Sequence, residues 1–173
     1  MTTNQKHESG ICIPCNIQPT PDKGLGVFAG TDVPEGSTIW GHVPGQFEVL
    51  DENYLAGLLA ECSDEDAVDL LTHITSIEEF PNFMVRYFDE GAYINHSEQP
   101  NVKRKYSAND YLGQQVISAL DVSKVLCDRH FDLVAKCNIE VGDELLMDYN
   151  DEPDDPEYYE NACERYGVTW EWL

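Results

Sequence analysis

Positive charge is what this chain has least of. Ten Lys and Arg stand against 33 Asp and Glu, a formal net charge of −23 over 173 residues. No Lys or Arg occurs between Gly41 and Val85, and from Glu140 to the last residue Arg165 is alone among carboxylates. Such a surface repels a phosphate backbone, which argues against direct binding of nucleic acid and favours a basic partner. A solvated acidic face kept for solubility accounts for the same imbalance, and the two readings are compatible.

Long apolar runs are missing too. Nothing approaches the ~20 apolar residues of a membrane span, and Met1 to Gly10 lack the apolar centre of a secretion signal, so no membrane association is expected and an intracellular location is. Cysteine occurs six times, at 12, 15, 62, 127, 137 and 163. An unexported chain of this size keeps thiols reduced, so no structural disulfide is expected. Cys12-Ile13-Pro14-Cys15 has a metal-like spacing, but no second pair or neighbouring His accompanies it, and no metal site is assigned. His7, His42, His73 and His130 also lack ligand spacing.

What is present is an ordinary globular balance, 42% hydrophobic and 25% charged, in a length that suits one domain. Residues 1–22 read as a polar N-terminal arm leading into an edge segment, with Pro14, Pro19 and Pro21 breaking any regular element. Gly26 to Ala29 and Ser37 to Val43 read as strands joined through Pro34-Glu35-Gly36, a β-hairpin. Over 51–77 the period becomes helical, with Ser63 as cap and Ala67, Leu70, Leu71 and Ile74 on one face. Phe80, Phe83, Val85, Tyr87 and Phe88 read as core packing. Short strands are expected at Val102 to Tyr106, Gln114 to Ala119, Phe131 to Ala135 and Leu145 to Tyr149. A last helix follows, capped by Asp155 and ended by Gly167. The fold class is mainly β, with a helical insertion and a C-terminal helix.

Three motifs stand in order. Lys23-Gly24-Leu25-Gly26-Val27-Phe28-Ala29 marks a tight turn or a close backbone approach. Asn95-His96-Ser97 with Pro100-Asn101, taken alone, is a polar turn. Gly142-Asp143-Glu144-Leu145-Leu146-Met147-Asp148-Tyr149-Asn150, taken alone, is a strand whose tyrosine hydroxyl needs a partner.

Together and in this order they resemble the SET-domain protein lysine methyltransferases. The resemblance covers Lys23 to Asn150 and implies a SET domain at 23–150, built of several small curved sheets with a C-terminal pseudoknot. It implies S-adenosylmethionine as cofactor, held by Lys23, Gly24, Leu25, Gly26, Asn95 and His96. It makes Tyr149 the catalytic residue, and gives Ser97, Pro100 and Asn101 the shaping of their loop. Tyr87, Met147 and Tyr93, with Phe83, are candidate walls of a substrate channel. The implied partner is a lysine-containing basic protein or peptide; a histone substrate implies a nuclear location and another basic protein a cytoplasmic one, and since some small stand-alone members pair, the resemblance leaves a homodimer open.

Two departures bear on function. Family members often carry Phe or Tyr where this chain has Met147, and the degree of methylation depends on that position. Many also follow the domain with a zinc-binding cysteine cluster, whereas only Cys163 follows Tyr149 here. The stretch 151–173, with Tyr158, Tyr159, Tyr166, Trp170 and Trp172, is expected to form a helical lid in its place. Two other readings compete: a SET-shaped module that binds basic peptides without catalysis, and an acidic decoy that mimics nucleic acid.

Overall fold

The structure, a computed structural model, describes residues 9–77, 80–106, 118–128, 131–149 and 155–169. Ten short strands and four helices are described, in the order β1 Cys15–Pro19, β2 Leu25–Ala29, β3 Thr38–Gly41, β4 Phe47–Leu50, α1 Glu52–Glu61, α2 Asp64–Thr72, β5 Ile74–Ser76 and β6 Met84–Tyr87. A 3₁₀ turn, Glu90–Tyr93, leads to β7 Asn95–His96, β8 Val102–Tyr106, α3 Ala119–Cys127, β9 Phe131–Ala135, β10 Leu146–Met147 and α4 Glu157–Tyr166. The strands form four small sheets, β1-β2, β10-β7, β3-β9-β8 and β4-β6-β5.

The expected hairpin between β2 and β3 does not form. β2 pairs antiparallel with β1, and β3 pairs with β9 across the middle of the chain. The edge segment expected within the arm is β1, paired among the described residues only with β2. Its prolines are tolerated there, since Pro14 precedes the strand and Pro19 ends it. The turn between β1 and β2 is closed by Thr20 N donating to Gly24 O at 2.8 Å, with Gly24 at φ +73°, a conformation glycine adopts without strain.

Helix capping follows the local chemistry. Asp51 accepts from Tyr54 N at 2.9 Å, and Ser63 accepts from Asp66 N at 3.2 Å, with Asp64, Glu65 and Asp66 in the positive first turn of α2. Ala67, Leu70 and Leu71 are buried as expected, but the helix stops at Thr72 and Ile74 opens β5 instead. Residues 114–117 of the strand expected at Gln114 to Ala119 lie outside the described residues, and Ala119 begins α3, capped by Ser118. At α4 the cap position is Pro156 without a side-chain bond, rather than Asp155, and Gly167 ends the helix at φ +70°.

Two apolar clusters result. One, including Val27, Ile39, Trp40, Val85, Val102, Leu126 and Leu145, lies among the sheets. The other joins Leu50, Leu55, Leu71 and Met84 to Tyr159 of α4. The tyrosines of α4 face this second cluster: Tyr159 donates to Leu71 O at 2.8 Å, Tyr166 to Leu59 O and Tyr158 to Asn82 O. Burial, then the charges of Asp51 and Glu52, push the Tyr158 phenol up to about 12. Trp170 and Trp172, expected in the lid, lie outside the described residues, and the described part of α4 covers α1 and α2.

One buried carboxylate secures the N-terminal arm. Asp89 accepts from Gly10 N at 2.7 Å, Trp40 Nε1 at 2.9 Å and Gly91 N at 3.0 Å. Substituting Asp89→Asn turns an NH₂ toward N–H donors, and urea denaturation is expected to register a loss of roughly 1.5–3 kcal/mol, the worth of a hydrogen bond to a charged group. An unchanged midpoint would remove the anchoring role.

Candidate active site

The site is assembled where the end of the third motif runs alongside the second. β10 lies parallel to β7, with Leu146 opposite Asn95 and Met147 opposite His96. Ser97 N donates to Met147 O at 2.9 Å and Asn101 N to Leu146 O at 3.1 Å. The Asn101 carboxamide adds two bonds, donating to Glu144 O at 2.7 Å and accepting from Leu146 N at 2.9 Å. On its other side the same segment meets β2, through Leu145 N to Val27 O at 2.7 Å and Ala29 N to Asp143 O at 2.8 Å. Residues 142–149 are thus held between the first motif and the second, the crossing that the pseudoknot expectation concerns.

This crossing positions Tyr149. Its hydroxyl donates to Ile94 O at 2.6 Å, its backbone N donates to His96 Nδ1 at 3.0 Å, and its ring lies 5.5 Å from the His96 imidazole. A nitrogen that accepts an N–H carries no proton, so the neutral His96 has its proton on Nε2. Asp148 approaches the same Nδ1 at 3.8 Å, which is an ion pair only if that nitrogen is protonated. The shorter, directional hydrogen bond makes Nδ1 an acceptor toward Tyr149 N.

Asn95 is fixed as firmly. Its Nδ2 spends both hydrogens, on Leu25 O at 3.0 Å and Glu144 Oε1 at 2.8 Å, which leaves Oδ1 as its remaining hydrogen-bonding atom, an acceptor. Lys23 Nζ donates to His96 O at 2.5 Å and brings a cation to the edge of β7. Lys23, Leu25, Asn95, His96, Met147 and Tyr149 therefore meet in one place. The two glycines of the first motif differ. A side chain at Gly24 would meet nothing within 4 Å, whereas at Gly26 it would lie 2.4 Å from Glu144 Oε1 and 2.8 Å from Thr20 Cγ2. A side chain at Gly26 would have to displace the Glu144 carboxylate that orients Asn95, and glycine offers only its backbone to a ligand.

The channel candidates are not all in this group. Tyr87 bonds His42 Nε2 through its hydroxyl at 3.1 Å and packs on Trp40 at 5.1 Å between ring centres, within an aromatic cluster that includes Phe47 and Phe131. Tyr93 stacks edge-on with His73 at 6.1 Å, one residue before the carbonyl that receives the Tyr149 hydroxyl. Phe83 packs against the first core cluster. Sequence reading missed Ile94, because its part is played by a backbone carbonyl that no side chain announces. It also missed Glu144, whose carboxylate orients Asn95.

The sequence pattern of the SET domain matches residues 24–150. The chain belongs to the SET-domain family. A search of curated proteins finds no match. Among solved structures, the SET domain superposes on the Neurospora SET-domain protein DIM-5, a histone lysine methyltransferase, with a TM-score of 0.54 and 18% identity over 84% of this chain and 55% of that one. It superposes on KRYPTONITE in complex with mCHH DNA, an H3(1–15) peptide and SAH, with a TM-score of 0.50 and 20% identity over 80% of this chain and 24% of the other. It superposes also on ctPRC2 bound to S-adenosylmethionine in an autoinhibited conformation, with a TM-score of 0.53 and 19% identity over 86% of this chain and 16% of that one. At these identities the likeness is one of fold, and this SET chain spans between 16% and 55% of the lengths of the three. The small, open sheets are those of the SET fold.

Proposed function

We propose that the protein transfers a methyl group from S-adenosylmethionine to the side-chain amine of a lysine in a basic protein, with Tyr149 as the catalytic residue. The observation that carries this reading is the convergence of Tyr149, Ile94 O, His96 and Asn95 at one crossing of the chain.

The residues present fit such a donor. A zwitterionic methionine end needs a cation for its carboxylate and an acceptor for its ammonium, and Lys23 Nζ and the carboxamide oxygen of Asn95 are of those kinds. Gly24 leaves open space beside them, Leu25 and Gly26 offer backbone groups, and His96 Nε2 offers an N–H. When bound, the cofactor supplies a methyl group activated by a sulfonium.

The chain's own residues must then prepare the amine. A lysine with a solution pKa near 10.4 is neutral in only about one molecule in 10³ to 10⁴ at pH 7, a cost of roughly 4–5 kcal/mol. A narrow, desolvated wall disfavours the ammonium, and we assign that wall to Met147 and Tyr93. The Tyr149 hydroxyl, its proton committed to Ile94 O, turns oxygen lone pairs toward an amine N–H and orients the nitrogen. His96, whose Nδ1 is taken up by the Tyr149 backbone N–H, positions the tyrosine and does not act as a base. Met147 is flexible and unbranched, so it leaves more adaptable space than an aromatic ring would, and the number of methyl groups added is set there.

The acidic surface has a separate task, the capture of a positively charged substrate inside the cell. The test is incubation with labelled S-adenosylmethionine and mixed basic proteins, with label expected on lysine. Apparent substrate affinity is expected to weaken as salt rises from 50 to 300 mM, over which the screening length falls to about 6 Å. A flat response would remove the electrostatic part, and label on no lysine would remove the whole.

A further inference from the structure

An open cavity of about 280 Å³ lies where the N-terminal arm, β1 and the 3₁₀ turn meet, and it shares Tyr93 with the wall assigned to the lysine. We propose that it is a subsite for an arginine side chain of the substrate protein, close to the lysine that is methylated. In its relation to that lysine the proposal rests on the methyltransferase reading.

The cavity is at the lower limit of small-molecule pockets, about 300 Å³, which suits one side chain better than a cofactor. Its most telling lining residue is Gln46. The residue is only 9% exposed, yet among the described residues its carboxamide makes no hydrogen bond, although its backbone groups bond Val43 O and Phe88 N. Its polar atoms are open to the cavity and are not sealed from solvent, so its acceptor and donors are available to something that enters.

The neighbours define what enters. Asp89 also lines the cavity, but its oxygens are already engaged by Gly10, Trp40 and Gly91, so it contributes fixed negative charge rather than a new contact. Glu90 accepts from the Ser9 hydroxyl and brings a second carboxylate to the same wall. Tyr93 and Phe88 add flat apolar surface, and Phe88, 51% exposed, already carries the Arg86 guanidinium 5.4 Å from its ring centre. Acceptors in a negative field beside aromatic faces match a guanidinium, which is planar, always charged and able to stack while donating along its edge. Tyr93 connects this cavity to Ile94, whose carbonyl holds the Tyr149 hydroxyl. An extended peptide advances about 3.3 Å per residue, so an arginine here belongs within a few residues of the target lysine.

Two series of short fluorescent peptides test this. Each peptide carries one lysine in a Gly/Ser background; one series moves a single arginine through the other positions, and its twin has uncharged citrulline in its place. For one or two positions the full chain is expected to bind the arginine peptide about tenfold tighter than its citrulline twin, and Gln46→Ala and Glu90→Gln are each expected to bring the ratio to within about twofold. Gln46→Ala breaks no side-chain hydrogen bond, so it reports on the subsite even if Glu90→Gln loosens the arm. Circular dichroism confirms that each variant is folded. Equal binding of both series at every position overturns the proposal, as does a preference that survives both substitutions. Binding is measured without donor, and methyl transfer separately. An arginine preference without any transfer supports the subsite and sinks the transferase reading; transfer without an arginine preference sinks the subsite alone.

Discussion

Substituting Tyr149→Phe is expected to lower methyl transfer by about 10²-fold or more, the scale on which a single well-placed polar group acts in an active site. The substitution isolates the hydroxyl. The ring that lies 5.5 Å from His96 remains, as does the backbone bond from Tyr149 N to His96 Nδ1. What is lost is the 2.6 Å bond to Ile94 O and the oxygen that orients the amine. Removing one neutral hydrogen bond costs about 1 kcal/mol of stability, so the variant should remain folded at assay temperature.

Calorimetry separates the two roles assigned to this corner. Donor affinity is expected to stay within about threefold in Tyr149→Phe, because binding the donor is assigned to Lys23, Asn95 and His96, whose contacts are untouched. A phenylalanine variant that transfers methyl groups at the full rate would refute the role given to Tyr149. A variant that fails only because it no longer binds donor would move Tyr149 from catalysis to binding.

The sequence was most informative where side-chain chemistry is local. Asn95, His96 and Tyr149 were legible as an ordered set, and the structure joins them in one hydrogen-bonded corner. Ser63 and Gly167 were legible as helix boundaries because their side chain and backbone freedom act within one turn. Strand partners were not. β2 and β3 look like a hairpin because they are adjacent, and what sends β3 to β9 is the burial of Ile39 and Leu133 in one distant core. Tyr87 illustrates a different limit. Its aromatic run read as core packing and only the family resemblance made it a candidate channel wall, and nothing along the chain indicates that its hydroxyl meets His42 or that Trp40 lies against its ring. Ile94 is the extreme case, since the atom that matters there is common to every residue type.

Asn101→Ala should have the largest effect on stability, because this side chain fastens the crossing on which the site depends. Its carboxamide satisfies Glu144 O and Leu146 N together, and alanine leaves both backbone groups without that partner. At about 1–3 kcal/mol for each buried group left unsatisfied, the expected loss is roughly 2–4 kcal/mol, held below the upper sum because Asn101 is only partly buried. For a chain of this size that corresponds to a fall in Tm of roughly 5–15 °C. Asn101→Asp is not expected to rescue it: an aspartate oxygen still accepts from Leu146 N, but the other faces the Glu144 carbonyl, and two acceptors repel. Ser97→Ala in the same loop removes an exposed bond from Gln99 N and should change stability by less than about 0.5 kcal/mol. Below the melting temperature the Asn101→Ala protein should also bind donor more weakly, since β10 and β7 together carry Met147, His96 and Asn95 into place. If its Tm stayed within about 2 °C of the parent, the crossing would be held by the backbone ladder and the β2 contacts alone, and Asn101 would be a bystander to the fold.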